Sequence, residues 1–418
     1  MLKVSSFSGA NASAKIAACV AALPPKGGVC DARDLAGTPT LSPMTIAKPV
    51  ELIFGSGTFQ VTGTITFQNV HGAGIAGAGA VKGFSGGTNF VWMGNLTDPM
   101  FDLKNVEDST FHSFSIYSSS SHPLAVGVRS ENGIKGAATP SHNTFRNVLV
   151  DGTNRGGLYK GFQYALGAGG NANNDVGRFY NVSVVNYTTA GWSFEHAQSK
   201  AHAFFGCGFQ SGGFGKYGVT TALGGGGTGG SFMWFGGGGG YNSVADFYLG
   251  APNDAILISG GNFEGSSRLL ETTGASSNPW PVEIEGVRWA NNNLNPDGRA
   301  VLYTQRGPLI LLDNDFEPYA TKPTSIYLAP SGPAQGIAIG NGVSSSLENP
   351  FTGNSSARWT LLGNFANRII LPPSIYGLIE QGAGAPHGPC ATGTMYSRTD
   401  GRPGSTLYVC EAGAWVAK

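Results

Sequence analysis

The sequence has few charged residues and no excess of either sign. Lys and Arg together number 25, Asp and Glu together number 25, and charged residues make up 12% of the 418. A chain without a basic surplus lacks the electrostatic footprint of a protein that binds nucleic acid or an anionic membrane surface. It also contains no apolar run long enough to span a bilayer. We therefore expect neither nucleic acid nor a membrane as a partner.

The usual sequence signs of a bound metal or cofactor are missing as well. The seven histidines are scattered without metal-ligand spacing, and no carboxylate cluster is dense enough for calcium. Gly72, Gly74 and Gly77 have the spacing of a dinucleotide-binding fingerprint, but no helix and no acidic partner follow them in a βαβ unit. We expect turn glycines at these positions, no metal site and no cofactor.

Cysteine is rare, with five positions in the chain. Cys19 and Cys30 flank one short segment, and Cys390 and Cys410 flank another, which favours two local disulfides. Disulfides persist in oxidising compartments, so we expect a secreted, extracellular protein. Cys207 stands alone, and a buried apolar role is the stronger interpretation of it.

One motif recurs along the chain. Large apolar residues occupy its first, fourth and sixth places, as in Phe111-His-Ser-Phe114-Ser-Ile116. The fourth and sixth places alternate with polar or small residues, which is the periodicity of a β-strand. A sustained period of about 20 to 50 residues indicates a repeat architecture. The first places are Phe111, Phe145, Phe179, Phe204, Phe232, Ile258, Ile284 and Leu311.

The repeat predicts a coil of short strands. Most repeats contain a second short strand, such as Trp192–Phe194 or Phe247–Leu249, with Gly, Asn and Ser turns between strands. No helix-length pattern separates the repeats, and about 26 residues are too few for a four-stranded propeller blade. We predict an all-β, single-stranded parallel β-helix. Each repeat forms one coil, and equivalent positions of successive coils stack roughly 4.7–4.9 Å apart.

Three segments are predicted along the chain. Residues 1–49 form an N-terminal cap, whose helix at 11–23 begins at an Asn11 or Ser13 cap and stops at Pro24. A β-helix has an open apolar end, and this helix can cover it. Residues 50–371 form the parallel β-helix. Residues 372–418 form a linker and a small β-hairpin held by the C-terminal disulfide.

These features resemble the pectate-lyase-like superfamily of right-handed parallel β-helices. The matching stretches are the lid helix, Val50–Phe67 leading into Gly72–Gly79, the repeats as far as about residue 365, and Gly260-Gly-Asn-Phe-Glu264-Gly265, which is similar to a motif of tailspike-type members. The resemblance implies a right-handed coil and extracellular action on a polysaccharide, by hydrolysis or by β-elimination. Tailspike relatives are often homotrimers and the sequence shows no trimerising coiled coil, so both a monomer and a homotrimer stay open.

The motifs that would locate catalytic residues in this superfamily are absent. The sequence has none of the Asn-Thr-Asp, Asp-Asp, Gly-His-Gly or Arg-Ile-Lys signatures of polygalacturonases, and it lacks the Trp-Ile-Asp-His of pectate lyases. No catalytic residue can therefore be carried over, and the fold alone does not fix the function.

Carboxylates concentrate in two outward-facing columns of the predicted coil. If places one, four and six point inward, then places five and seven point outward. The fifth place carries Arg288 and Asp315. The seventh place carries Glu264 and Glu317, two coils and roughly 9–10 Å apart along the axis. Inverting glycosidases hold their two carboxyl groups about 6.5–9.5 Å apart. Stacked outward carboxylates that are simply solvated or paired with arginine are the alternative interpretation.

The expected roles of these carboxyl groups follow from their neighbours. Glu264 has few cations nearby, so we expect a raised pKa and the role of general acid. Asp315 or Glu317, near Arg288, is expected to stay ionised and to act as the base. Glu195 and His196, after the strand Trp192–Phe194, are a second candidate pair for proton transfer, although an exposed pair without a role is the simpler interpretation.

Aromatic side chains complete the predicted site. Four of them are candidates for stacking on sugar rings: Trp234, Tyr241, Tyr248 and Trp280. The sequence thus predicts a secreted enzyme that hydrolyses a polysaccharide in a groove along the coil. A polysaccharide lyase is the second reading, and a non-catalytic adhesin, fibre or tail-type protein is the third.

Overall fold

The chain winds into stacked coils, each of which crosses three ladders of parallel strands. The computed structural model describes residues 1–35, 37–83, 86–131, 141–154, 156–165, 173–196, 198–223, 230–250, 255–273, 281–291, 301–303, 308–318, 327–328, 335–343, 358–366, 369–370, 379–390, 395–402 and 406–418. One large sheet contains the first and second ladders, and an eleven-stranded sheet forms the third. This topology confirms the predicted parallel β-helix.

The first and second ladders are joined by short bends, so each coil turns from one into the other within a few residues. The first ladder comprises Leu2–Lys3, Gly28–Asp31, Val50–Ile53, Gly74–Ala76, Thr110–Tyr117, Thr144–Asp151, Arg178–Tyr180, His202–Phe205, Phe232–Phe235, Ile256–Ser259, Val282–Glu285, Leu309–Leu312, Gln335–Ile339 and Arg358–Leu362. The second comprises Thr40–Leu41, Gly57–Val61, Thr88–Trp92, the later parts of Thr110–Tyr117 and Thr144–Asp151, Ser183–Val185, Gly208–Gln210, Gly238–Gly240, Asn262–Glu264, Arg288–Asn291, Asp315–Pro318, Gly342–Val343 and Phe365–Ala366. Ile369–Ile370 pairs antiparallel with the last of these.

The third ladder closes each coil. Its strands are Met44–Ile46, Ile65–His71, Pro99–Glu107, Leu124–Glu131, Leu158–Tyr164, Tyr187–Phe194, Tyr217–Thr220, Ala245–Leu249, Leu270–Thr272, Leu302–Tyr303 and Tyr327–Leu328. Because successive strand residues point to opposite faces, alternate side chains of all three ladders meet in one continuous interior. The buried apolar side chains of the coils form this single core.

The N-terminal helix spans Ala12–Ala22 and is capped by Asn11, whose side chain accepts a hydrogen bond from the Ala14 backbone N–H at 2.9 Å. Ser13, the alternative cap, is buried and instead bonds to the backbone of Ser42. The helix buries Ile16, Cys19 and Val20 in the same core as the coils. The predicted Cys19–Cys30 disulfide ties it to the first-ladder strand Gly28–Asp31.

The interior contains a stack of aromatic rings in the first ladder. Phe145, Phe179 and Phe204 stack at centroid distances of 5.3 and 4.6 Å, and Trp234 follows Phe204 at 5.0 Å. The pairing of Phe204 with Trp234 corrects the repeat pattern read from the sequence, which placed Phe232 at this position. A shift of two residues leaves the alternation of inward and outward side chains unchanged, so periodicity alone cannot detect it.

The later coils contain a ladder of buried asparagines at the fourth place. Each side-chain amide group bonds to the asparagine of the next coil, with Nδ2–Oδ1 distances of 2.8 Å from Asn314 to Asn341 and from Asn341 to Asn364. The same Oδ1 atoms accept backbone N–H groups at the bend, for example Asn314 N–H to Asn341 at 3.1 Å. Buried polar groups are tolerated in a core when they are hydrogen-bonded in this way.

A second buried polar group lies at the start of the third-ladder strand Ala245–Leu249. Asp246 is fully buried, and its Oδ1 accepts hydrogen bonds from Asn242 at 2.9 Å and from Ser266 at 2.6 Å. Tyr187 donates to Asn242 at 2.6 Å. Burial raises the pKa of Asp246 to about 7, although its hydrogen bonds act in the opposite direction.

The C-terminal residues form a separate four-stranded sheet. Met395–Arg398 and Leu407–Glu411 make the predicted antiparallel pair, and the Cys390–Cys410 disulfide is present. Ala414–Ala417 adds an antiparallel strand, and Ile379–Gly382 adds a parallel one. The extra antiparallel strand follows a tight turn in which Ala412 and Gly413 both have positive φ. The three segment boundaries drawn from the sequence remain predictions.

Candidate functional site

The second ladder contains an open trough on its outer face. The trough has a volume of about 410 Å³. Its lining residues are Ser183, Val185, Gly208, Phe209, Gln210, Gly237, Gly238, Gly239, Tyr241, Asn262 and Glu264. These residues belong to four successive coils, so the trough runs along the axis of the β-helix.

The floor of the trough is a coil without side chains at residues 236–240, where five glycines follow one another. Gly237 has φ +77°, and a Cβ atom there would lie 2.0 Å from the Cys207 carbonyl oxygen. A Cβ atom on Gly238 would lie 2.2 Å from the Asn262 carbonyl oxygen. Neither position accepts a side chain unless the backbone moves. The close approach of successive coils therefore requires glycine here.

Glu264 stands at the far wall of the trough, where it ends the strand Asn262–Glu264. The Tyr241 hydroxyl lies 3.4 Å from Glu264 Oε1 and can donate a hydrogen bond to it. Tyr241 has φ +59°. Its ring packs against Gly265, where an added Cβ atom would lie 2.8 Å from the nearest ring carbon atoms. The adjacent Glu264 charge raises the pKa of Tyr241, which keeps the phenol protonated and available as a donor.

The next two coils add a cation and two more carboxyl groups to the same wall. Strand pairing aligns Asn262, Arg288 and Asp315 in one column, and it aligns Glu264, Ala290 and Glu317 in the other. Glu264 and Glu317 thus lie two coils apart in a single column, roughly 9–10 Å along the axis. The candidate residues of this pattern share one face of the protein.

Arg288 connects these columns. It donates a hydrogen bond to Asn262 Oδ1 at 3.0 Å and forms an ion pair with Glu317. The pKa of Asp315 is raised, first because burial removes water from its carboxyl group and second because of the adjacent Glu317 charge. Arg288 opposes that increase without cancelling it. The pKa of Asp315 is thus shifted upward although Arg288 lies beside it, because the cation is engaged by Glu317.

The second candidate pair lies on another ladder. Glu195 follows the third-ladder strand Tyr187–Phe194, and its carboxylate is held by Lys160, by Gln163 at 2.8 Å and by Ser193 at 2.6 Å. Three donors on one carboxylate are typical of a structural anchor. The ring of His196 accepts a hydrogen bond from the Gln198 backbone N–H at 3.1 Å, and burial lowers its pKa. The structure does not bring this pair to the trough.

Of the three predicted sugar-stacking residues that the structure describes, only Tyr241 lines the trough. Trp234 is 0% exposed and belongs to the core stack, because it occupies the inward first place of its coil. Tyr248 lies on the third ladder with its ring stacked on Tyr217 at 4.3 Å. Trp280 lies outside the described residues.

The polar residues Ser183, Gln210 and Asn262 line the trough and were not recognised as site residues from the sequence. They occupy the same outward columns as the carboxyl groups, beside the glycine coil. A run of glycines at outward places, flanked by polar residues in the coils on either side, is the signal that would have identified them.

Neither a metal centre nor a membrane segment is visible in the part of the chain that the structure describes. Within it, no group of three or more His, Cys, Asp and Glu side chains is arranged to hold a metal ion. The one helix of those residues, Ala12–Ala22, is too short to cross a membrane.

No family model and no curated protein matches this sequence. The fold is similar to that of an Acinetobacter phage tailspike protein, at 14% identity and a TM-score of 0.45, covering 100% of this chain and 78% of that chain. A mannuronan C-5 epimerase A-module from Azotobacter vinelandii has 12% identity and a TM-score of 0.48, with coverage of 90% and 98%. A DFA-IIIase from Arthrobacter chlorophenolicus has 8% identity and a TM-score of 0.49, with coverage of 89% and 96%. These likenesses assign no role to any residue of this chain.

Proposed function

We propose that the protein binds a polysaccharide along the trough and hydrolyses it with the carboxyl groups of the second ladder, acting outside the cell. The observation that carries this proposal is the pairing of Arg288 with Glu317 beside Asp315, whose pKa is raised. Asp315 thus holds its proton more readily than an ordinary carboxyl group, whereas the Glu264 carboxylate on the same wall accepts the Tyr241 hydroxyl. General acid–base hydrolysis needs one carboxyl that holds a proton and another that takes one.

The roles follow from these environments. Asp315, which retains its proton to higher pH, is the general acid that protonates the leaving glycosidic oxygen. Glu264, which accepts the Tyr241 hydroxyl across the wall, is the general base that activates water. This exchanges the roles that the sequence predicted for the two residues. The distance of two coils between their strands suits an inverting reaction, in which water enters between the carboxyl groups.

The charge of the site favours a neutral polysaccharide. Three carboxyl groups, those of Glu264, Asp315 and Glu317, stand beside a single guanidinium, that of Arg288. A polyuronate would bring further negative charge to a wall that already has an excess of it. A lyase needs a uronic acid because β-elimination removes the proton next to a carboxylate. The lyase reading is therefore the less favoured of the two enzymatic readings.

The decisive experiment incubates the full chain with a panel of purified neutral and acidic polysaccharides and measures new reducing ends and ultraviolet absorbance. Hydrolysis produces reducing ends alone, whereas β-elimination also produces an absorbing double bond. Asp315→Asn and Glu264→Gln should each lower the hydrolysis rate by about 10²–10⁴-fold. Glu51→Gln, an exposed first-ladder glutamate far along the chain, is the matched control.

Three results would contradict parts of this proposal. Unchanged rates in both variants would remove the assigned acid and base. Ultraviolet-absorbing products would replace the hydrolase with a lyase. Tight binding of a polysaccharide without turnover in the parent chain would favour the third reading, a non-catalytic adhesin, fibre or tail-type protein.

A further inference from the structure

The outer face of the first ladder contains an apolar stripe formed by Tyr180, Phe205, Met233, Phe235 and Leu257. The rings of Tyr180, Phe205 and Phe235 stack at centroid distances of 5.0 and 5.2 Å. Phe205 is 37% exposed, and the others are half-buried. Both faces of the Phe205 ring are covered by its neighbours, so the middle of the stripe presents a ring edge. Contiguous exposed apolar surface of this kind marks a protein contact.

Charged residues of opposite sign lie at the two ends of the apolar stripe. Arg146 and Arg178 lie at the N-terminal end, and Glu283 and Glu285 lie at the C-terminal end. Among the described residues, no carboxylate pairs with either arginine and no cation pairs with either glutamate. The Glu285 carboxylate accepts a hydrogen bond from the Ser259 hydroxyl, at 2.6 Å. The two ends of this face are therefore complementary to each other, but they are too far apart to meet within one molecule.

The register of the first ladder makes this complementarity symmetric about one coil. One outward column runs through Arg178, Ala203, Met233, Leu257 and Glu283. The adjacent outward column runs through Tyr180, Phe205, Phe235, Ser259 and Glu285. Met233 is two coils from the arginine and two coils from the glutamate. A rotation that reverses the column about Met233 exchanges the basic and acidic ends.

We propose that a second copy of this chain packs antiparallel on the apolar stripe, about a twofold axis at the coil of Met233 and Phe235. In such an isologous contact every pair occurs twice. Arg178 then faces Glu283 of the partner subunit, and Leu257 of the partner subunit packs over the coil of Ala203, whose own side chain is buried. Met233 and Phe235 meet their own copies at the axis. An apolar centre with charged pairs at its rim is the usual anatomy of a protein interface.

The contact extends beyond the apolar stripe in the same register. One coil further out on each side, Arg146 faces Leu312 of the partner subunit, and the aliphatic part of an arginine side chain packs well on such a residue. Ile337 is 40% exposed and Leu362 is 53% exposed, and both lie on the same outer face in the following coils. The interface therefore runs along most of the first ladder and leaves the trough on the second ladder open.

Analytical ultracentrifugation of the full chain at increasing concentration tests the inference. We expect a dimer of twice the 43.1 kDa chain mass, whose dissociation constant increases with salt. Arg178→Glu and Glu283→Arg should each raise the dissociation constant by about tenfold or more, because each places like charges opposite one another. The double variant R178E/E283R restores the pairs and should recover the parent value.

Recovery in the double variant separates a broken contact from a damaged fold, and the circular dichroism spectrum of each variant confirms the coil. A parent chain that stays monomeric at its highest soluble concentration would overturn the proposal. So would a trimer, or a dimer that neither charge reversal weakens. Hydrolysis in the trough does not depend on this contact, so the two proposals fail independently.

Discussion

Arg288 lies directly opposite Asp315 on the neighbouring strand, yet its ion pair is with Glu317, two residues further along that strand. The guanidinium also donates to Asn262 on the other side, at 3.0 Å. Asp315 therefore has a cation next to it that is already bonded to two other residues. This arrangement explains why burial and the Glu317 charge prevail and the pKa of Asp315 is raised.

Removing the Arg288 charge should move the alkaline limb of the pH–activity profile upward. Arg288 lowers the pKa of Asp315, so Arg288→Gln raises that pKa further. A general acid loses activity when it loses its proton, and the loss then occurs at a higher pH. The measurement is kcat/KM against pH for the polysaccharide that the panel identifies. Arg33→Gln, which breaks a comparable ion pair with Asp31 in the N-terminal coil, should leave the profile in place. A limb that stays put or moves to lower pH in Arg288→Gln would show that Asp315 is not the acid.

Filling the trough from its near wall should weaken polysaccharide binding without harming the fold. A Cβ on Gly208 would lie 3.4 Å from the Gly238 carbonyl oxygen and 3.6 Å from Ser183 Oγ, which are ordinary contacts. Gly208→Ala is thus accommodated, whereas the longer side chain of Gly208→Leu extends into the trough. We expect affinity measured by calorimetry to fall by about tenfold or more in the leucine variant only, the scale of a small steric misfit in a binding site. Equal affinity of both variants, with unchanged thermal midpoints, would mean that the ligand does not occupy the trough.

Asp246 should make the folded protein less stable as the pH rises toward neutrality. Its pKa is about 7 in the folded chain, against 3.8 as the ordinary value, so between these values the folded state holds one proton more than the unfolded state. The stabilisation is fully present below the lower value and is lost as the pH rises through the upper one. Urea unfolding midpoints measured across this range should fall with pH in the parent chain.

The asparagine variant tests this interpretation directly. Asp246→Asn keeps an oxygen for Ser266 and Asn242 and cannot ionise, so its unfolding midpoints should change less with pH than those of the parent. Asp98→Asn, in a half-exposed turn, should keep the slope of the parent. Identical slopes in the parent and in Asp246→Asn would show that another group causes the pH dependence.

The fold could be predicted because the repeat carries its own geometry. Phe111, Phe145 and Phe179 are separated by equal steps, and each faces the next in the ladder. The predicted first place was wrong by two residues at Trp234, because the coil before it is longer and a shift of two residues does not change the strand alternation. Asn314 is a weak match to an apolar place in the sequence pattern. Its buried amide group is hydrogen-bonded to Asn341 of the next coil, which in turn bonds to Asn364, and the repeat pattern does not reveal these contacts.

The repeat register predicts which residues of the candidate site share a column, but it does not predict how their side chains pair. Stacking in columns correctly brought Glu264, Arg288, Asp315 and Glu317 to one wall. Which carboxyl group pairs with the Arg288 guanidinium depends on side-chain rotamers and on local burial, and the spacing of residues in the sequence predicts neither. The sequence assigned the general acid to Glu264, whereas the roles proposed above assign it to Asp315, whose pKa is raised. Their catalytic roles remain predictions until the variants are measured.

The glycine coil at 236–240 also determines how the trough meets its ligand. Its floor is main chain held by the hydrogen bonds of the ladders, such as Gly238 N–H to the Cys207 carbonyl oxygen at 3.1 Å. A surface made of backbone has no rotamers to freeze, so little conformational freedom is lost when a ligand settles on it. The shape of this cleft is thus preorganised, and the proposed polysaccharide ligand would be recognised by its fit to a rigid backbone surface.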